Sequence, residues 1–452
     1  MTTSISIDAS HLVEWIEREL GGKVVGLEPH ARWRPAWFME WKNEGRITQL
    51  YARGERGQGL HTQPLEREYA VLNLLGDNGV PTPKIYGWCP EPKTIVMEHV
   101  IGTPYEGGAE GHPDIWACVA NYMTHLAKVH QIDVNAAVDA GLHCPKGPEE
   151  IALTYFAKAE RAYEEGKDGP DALVEFSKRW IKRHIPTHRT GAAVVTCDAP
   201  QFFYRNGEVA ALFDLELAQI GDPMMDLASM RLRDTMEPTG NLGKLFNIYA
   251  EAIGEELDFR ALGFYTVMLF MCVSMIAAPS LRSTRPHPGF IEYLSWCMST
   301  TRCTMQAMAE YVGFELDEVD PIEPRPSHRS DAFDELVAQC ELQKAEGHYR
   351  EPPLLSLARY VQQSDAYGAE LDQLELADAQ ALLGKSLTNL SQAESELERF
   401  VQSASPEADV QLINFFYRRE TRRLILLDGY PSPIVNRGMG SLAPLQATDD
   451  SA

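Results

Sequence analysis

The feature that most constrains this chain is a pair of acids joined by a hairpin. Asp198 follows the apolar run 192–195, and Asp214 closes the apolar run 208–213. Between them, QFFYR and EVAALF read as two strands joined by Asn206-Gly207, a dipeptide suited to the positive φ angles of a tight two-residue turn. Such a turn brings the two carboxylates back together. One acid of such a pair can orient and partly deprotonate an acceptor hydroxyl, and the other can hold a magnesium ion bridging nucleotide phosphates. Two loop-end acids that merely cap local backbone would have the same spacing, so spacing alone leaves both readings open.

Upstream, HLVEWIEREL places Leu12, Val13, Ile16 and Leu20 on one face of an amphipathic helix. KVVGLE, AWFMEW and ITQLYAR are rich in β-branched and aromatic residues and read as strands. A helix over PLEREYAVLNLLGDNG and two further strands, KIYGW and TIVMEHV, complete a small α+β lobe. Residues 113–132 and 149–185 are helical in pattern, as is most of the chain from the hairpin to about 315, with an apolar stretch at 262–278. Residues 317–329 carry Pro321, Pro324 and Pro326 among charges and read as a linker. Three or four helices are expected beyond it. One is expected to begin at Ser405-Pro406-Glu407, with an N-cap and a first-turn proline, and to end in Arg418, Arg419, Arg422 and Arg423.

Length and composition set outer limits. A chain of 452 residues is long enough for two or three domains with cores that need no disulfide or metal. Lys and Arg number 41 against 65 Asp and Glu, a net charge of −24. That sign disfavours nucleic acid and anionic membrane surfaces as partners. No run reaches about 18 uninterrupted apolar residues, so no membrane-spanning helix is expected. The opening MTTSISIDAS lacks a basic segment followed by an apolar run, so no signal peptide is expected. The eight cysteines are scattered with no CxxC pair, which argues against a zinc or redox module and for a reducing, cytoplasmic setting. Cys197 reads as a packed small residue, and His125 and His130 as histidines on a helix surface.

The acid-bearing stretch resembles the aminoglycoside phosphotransferase and choline kinase-like superfamily. Its pattern runs H-G-D-x4-N, a hairpin, a D-x-E or D-x-D element, then G-D-P-x-x-D-L-A. This chain has Thr196-Cys197-Asp198, Gln201, Asp214-Leu215-Glu216, and then Gly221-Asp222-Pro223-Met224-Met225-Asp226-Leu227-Ala228, which matches fully. The resemblance implies an α+β, two-lobed protein-kinase-like fold with an added C-terminal helical region. It makes Asp198 the catalytic base, Asp214 a magnesium ligand with Gln201 beside it, and Asp226 an anchor of the lobe. Arg53 stands where the family has its phosphate-contacting cation and Glu68 where the helix glutamate pairs with it. Met97, Glu98, His99 and Val100 resemble the hinge that holds adenine, and Ala127-Lys128-Val129-His130 the end of a large-lobe helix. The implied domains are a nucleotide-binding lobe at 1–105, a catalytic and substrate lobe at 106–316, the linker at 317–329, a helical extension at 330–430 and a loose tail at 431–452.

The implied activity is a magnesium-dependent kinase that moves phosphate from ATP or GTP to a hydroxyl of a small metabolite. Bacterial relatives of the kinase domains fused to acyl-CoA dehydrogenases look nearest, which points to hydroxyacyl-CoA esters as acceptors. Three departures stand against the pattern. Thr196 and Cys197 replace the histidine and glycine, and only two residues separate Asp198 from Gln201. Read without a gap, Phe203 would take the asparagine position and bind no metal. Pro29-His30-Ala31-Arg32-Trp33-Arg34-Pro35 replaces a small-residue phosphate loop; its arginines can clamp a phosphate or a carboxylate. Arg56, with Gly54, Gly57 and Gly59, reads as a solvated connection. The competing readings are a pseudokinase that docks a protein partner or a second copy through its C-terminal helices, and an aminoglycoside-modifying kinase.

Overall fold

The computed structural model describes residues 9–30, 34–56, 63–282, 289–342, 353–428, 430 and 440–445. Contacts divide the chain into two compact units. One comprises Met1–Gly147, Thr190–Met230 and Thr239–Leu257; the other comprises Pro148–Arg189, Arg231–Pro238 and Asp258–Ala452.

The first unit opens with α1 (Ser10–Glu19), β1 (Lys23–Pro29), β2 (Ala36–Asn43), β3 (Arg46–Gly54), α2 (Leu65–Asp77), β4 (Ile85–Pro90) and β5 (Lys93–Glu98). The strands form an antiparallel sheet in the order β1-β2-β3-β5-β4. Side chains alternate between faces along a strand. Trp37, Met39, Trp41, Leu50 and Ala52 therefore share one face, where Leu12 and Ile16 of α1 seal them from water. Phe38, Tyr51 and Arg53 are left on the other face, with Phe38 opposite Tyr51 and Tyr51 opposite Met97. The N-terminus of α2 is fixed by the Glu55 carboxylate, which accepts from the Leu65 N–H at 3.0 Å.

The same unit continues through β6 (Thr103–Pro104), α3 (Pro113–His130) and α4 (Val134–Asp139). The chain then builds α5 (Gly147–Gly166) and α6 (Ala172–Arg183) of the second unit and returns with β7 (Ala193–Val195), β8 (Phe202–Arg205), β9 (Glu208–Leu212) and β10 (Gln219–Gly221). The expected hairpin is β8–β9. Its turn has φ of 56° at Asn206 and 83° at Gly207, the left-handed values that dipeptide favours. The boundary between the units falls inside α7 (Met224–Asp234), and α8 (Leu242–Ile253) ends the first unit.

The second unit is completed by α9 (Phe259–Leu281), α10 (Phe290–Val312), α11 (Ser330–Leu342), α12 (Pro353–Leu383), α13 (Leu390–Ser403) and α14 (Asp409–Arg423). α9 is long and apolar enough to cross a membrane, contrary to the expectation from uninterrupted runs. Its apolar window is 83% buried, and a core helix has the same composition. Two further expectations are corrected. The helical pattern over 149–185 is two helices, because the chain breaks at Gly169-Pro170 and Asp171 caps a new start by accepting from the Val174 N–H. The helix expected at Ser405 begins later: Pro406–Ala408 is a 3-10 turn and α14 starts at Asp409, with no side-chain cap from Ser405. The proline-rich stretch is non-helical, as its sequence requires.

The arginines of α14 turn onto acids of their own unit. Arg419 donates to Glu394 at 2.9 Å and Glu420 at 3.0 Å, Arg423 to Glu375 at 2.7 Å, Arg422 to Asp378 at 2.8 Å and Arg418 to Asp317 at 2.7 Å. Burial alone would lower Arg419, but Glu394, Glu420 and Glu375 outweigh it and hold the guanidinium above its ordinary range. Replacing Arg419 with methionine strands these carboxylates in a buried setting. Arg419→Met is expected to cost about 3 kcal/mol, read as a fall in the urea unfolding midpoint; an unchanged midpoint would show that water satisfies the acids.

Candidate active site

The site is built on Asp226, which is fully buried near the start of α7. Asp222 starts that helix by accepting from the Met224 N–H at 3.0 Å. One turn on, Asp226 accepts from the backbone N–H of Thr196 at 2.8 Å and of Cys197 at 2.7 Å. The β7–β10 pairing, with Val194 opposite Ile220, holds the two segments side by side. Both N–H groups reach one carboxylate because Cys197 has a φ of 65°, a left-handed conformation in which glycine is the usual residue. His130, at the end of α3, completes the anchor. Its Nε2 lies 3.0 Å from Asp226, and its Nδ1 lies 2.7 Å from the Tyr249 hydroxyl of α8. The expectation of a surface histidine is therefore corrected: the end of α3 packs under the loop, and the ring is buried. Its partner lies 96 residues away in sequence, beyond the reach of helical spacing. Cys197 is buried, as expected.

This anchor fixes the loop that carries Asp198. The β8–β9 hairpin then brings Asp214 to it, with Gln201 between the two acids. The Gln201 amide nitrogen donates to Asp198 at 2.6 Å and lies 3.5 Å from Asp214. The Gln201 carbonyl also accepts from the Phe213 N–H at 3.2 Å, locking the short loop to the second acid. Phe203 stands in β8, its ring centroid 4.7 Å from that of Phe213, so Gln201 is the residue that meets the acids. Asp214 itself is left-handed, with a φ of 56°.

Arg53 closes the arrangement from the sheet. Its Nε donates to Glu68 of α2 at 3.0 Å and its Nη2 to Asp214 at 2.7 Å. Burial would lower Arg53, but Glu68, Asp214 and Glu216 together hold it well above its ordinary range. Burial pushes the Glu68 carboxyl up against the pull of Arg53. Arg34, one of the arginines expected to clamp a phosphate or a carboxylate, joins this network with Arg56 and Glu216. Arg34 donates to Glu216, and its Nη1 lies 3.7 Å from Glu68. Arg56 reaches the other oxygen of Glu216 at 3.0 Å. Arg56 is thus a site residue and not a solvated connection. The D-x-E spacing marks Glu216 in sequence, whereas nothing local marks Arg56. Arg32, Trp33, Gly57 and Gly59 lie outside the described residues.

The hinge segment closes β5, which pairs with the Arg53 strand and sets Met97 opposite Tyr51. Met97 is buried on β5, and Glu98 is exposed at its end. The Glu98 N–H donates to the Lys84 carbonyl at 2.8 Å and the His99 N–H to the Gln49 carbonyl at 3.1 Å, so these two donors already serve the fold. The His99 ring sits 4.6 Å from Phe38, which sits 5.4 Å from Tyr51; these three rings form an aromatic edge, and Val100 beside His99 is half-buried. Among the described residues no group of three or more His, Cys, Asp or Glu could enclose a metal. The Asp214 and Glu216 carboxylates, both within reach of Arg53, suit magnesium, which takes one or two carboxylates and completes its shell with phosphates and water, whereas Gln201 turns its amide nitrogen, a donor, toward the acids.

The sequence model of the phosphotransferase enzyme family matches residues 34–262, half of the chain, and the chain belongs to that family. Mouse acyl-CoA dehydrogenase family member 10 is 24% identical over 215 residues, which is 44% of this chain and 19% of the mouse protein. The chain thus spans about a fifth of the length of that curated relative. Among solved structures, a candidate aminoglycoside phosphotransferase from Ralstonia eutropha JMP134 aligns with a TM-score of 0.53 at 17% identity, covering 67% of this chain and 98% of its own. A macrolide 2′-phosphotransferase from Brachybacterium faecium aligns with a TM-score of 0.46 at 15% identity, over 63% of this chain and 97% of its own. The likeness to the first shows the fold, the α+β two-lobed kinase-like fold that the sequence pattern implies.

The anchor yields an ordering of stabilities. Asp226→Ala leaves two buried N–H groups and His130 without their acceptor, whereas His130→Ala removes one donor and leaves a hydroxyl. His130→Ala is expected to cost about 1–3 kcal/mol and Asp226→Ala more, each read by urea unfolding. The reverse order would show that the imidazole, and not the backbone pair, holds the loop.

Proposed function

We propose that this member of the phosphotransferase enzyme family moves the terminal phosphate of ATP, or of GTP, to a hydroxyl of a small metabolite. The observation that carries the reading is the meeting of Asp198, Asp214 and the Arg53–Glu68 pair at one place, through a loop tied down by Asp226. In this reading the acceptor oxygen bonds to phosphorus as the bond to the leaving diphosphate breaks, and the hydroxyl proton passes to Asp198. Arg53, held in place by Glu68, contacts the phosphates and offsets their charge. Asp214, with Glu216 and, once its amide turns its oxygen toward them, Gln201, would hold magnesium, which would supply positive charge to the phosphates. The aromatic edge at Phe38, Tyr51 and His99 offers a purine an apolar wall.

The acceptor is proposed to be a hydroxyacyl-CoA-type ester. Support comes from the likeness of a 215-residue stretch to part of an acyl-CoA dehydrogenase family protein. A second reading, a nucleotide-binding protein without turnover, is favoured by one observation: the Gln201 amide occupies an oxygen of Asp198, the proposed base.

Two substitutions separate these readings. Asp198→Asn is expected to leave nucleotide affinity unchanged and to lower turnover by about 10²–10⁴-fold, read as ADP release with a hydroxylated acceptor. Full turnover in that variant would remove Asp198 as the base. Asp214→Ala is expected to abolish the magnesium-dependent part of nucleotide binding measured by calorimetry. Unchanged affinity would contradict the metal assignment.

A further inference from the structure

Glycine-rich phosphate loops bind through backbone N–H groups, which small residues leave accessible. The β1–β2 connection here is built differently. Pro29 and Pro35 bracket it and supply no N–H, and the His30 N–H is spent on the Ala36 carbonyl at 2.7 Å. Among its described residues the connection presents Arg34, whose side chain is 7% exposed. Arg56, just beyond β3, comes to the same place.

The two guanidiniums now share one anion. Arg34 takes one oxygen of the Glu216 carboxylate and Arg56 the other, the second contact at 3.0 Å. A phosphate offers the same pair of oxygens at similar spacing, and guanidinium forks recognise both groups. The arginines also hold donors in reserve: the Nε atoms of Arg34 and Arg56 are buried with no hydrogen-bond partner among the described residues. Arg34 is unusual for a residue serving only as a structural tie. Burial lowers its pKa and Arg53 lowers it further, against the pull of Glu68 and Glu216. A third positive group is thus kept beside Arg53 and Arg56 at a cost the local acids only partly offset.

We propose that Arg34 and Arg56 form a side-chain phosphate clamp that exchanges the Glu216 carboxylate for the terminal phosphate of a polyphosphate ligand, doing with guanidiniums what a phosphate loop does with backbone. The clamp rests on the nucleotide-dependent reading above for the identity of that ligand. It also makes a prediction separate from that reading, because inorganic polyphosphate carries the recognised group without the base.

The test is calorimetry on the full chain with the magnesium salts of ATP and inorganic tripolyphosphate and with adenosine. Arg34→Gln and Arg56→Gln are each expected to weaken ATP and tripolyphosphate by about tenfold or more while adenosine stays within about twofold, with Arg34→Lys recovering part of the loss. Folding of each variant is checked by circular dichroism; if Arg34→Gln does not fold, Arg56→Gln, on the more exposed arginine, carries the test. Unchanged affinity for both polyphosphates would overturn the clamp. So would an equal loss of adenosine binding, which marks a purely structural tie. A parent that binds tripolyphosphate and no nucleotide would keep the clamp and defeat the kinase reading, and a parent that binds none of the three would defeat both.

Discussion

The site depends on one guanidinium held between two acids. Arg53 comes from a strand, Glu68 from the helix that follows it, and Asp214 from the far end of the hairpin. Each of these groups is costly to bury alone, and none is bound to the others by local sequence. Together they tie the sheet, α2 and the hairpin into one arrangement. The charges of Arg34, Arg56 and Glu216 extend it, so that three guanidiniums face three carboxylates, with Arg34 and Glu68 buried and Asp214 and Arg56 reaching water.

A second, separate device positions Asp198. Asp226 collects two backbone N–H groups and an imidazole, all away from water. The loop before Asp198 is thereby fixed by backbone hydrogen bonds, which are indifferent to the side chains at 196 and 197. That indifference explains how threonine and cysteine stand where the family pattern has histidine and glycine. The left-handed φ at Cys197 is retained although glycine is not, and the surrounding bonds supply the constraint that holds a non-glycine residue there.

Much of this was legible in sequence. The Asn206-Gly207 turn, the apolar runs flanking it and the alternation of β2 and β3 specify the hairpin and the buried face of the sheet through local rules of twist and period. The order of Arg53, Glu68, Asp198, Asp214 and Asp226 follows the family pattern, and the structure brings the first four together. What escaped depends on partners distant in sequence. His130 has the helical spacing of a surface residue, and only the packing of α8 and of the loop tied to Asp226 makes it buried. Arg56 sits in a connection whose local composition is polar and turn-rich, and its contact with Glu216 explains where it points. The break between α5 and α6 was visible at Gly169-Pro170, but the surrounding helical pattern outweighed it.

The central claim is that the Arg53, Glu68 and Asp214 cluster is a nucleotide site that works with magnesium. Its most direct test is the thermal unfolding of the parent protein with ATP, with GTP and with neither, each with and without magnesium. Ligand at about 100 times its dissociation constant stabilises a protein by about 2.7 kcal/mol, a readable rise in midpoint. The account expects a rise with at least one nucleotide that requires magnesium. No rise with either nucleotide under any condition would contradict it.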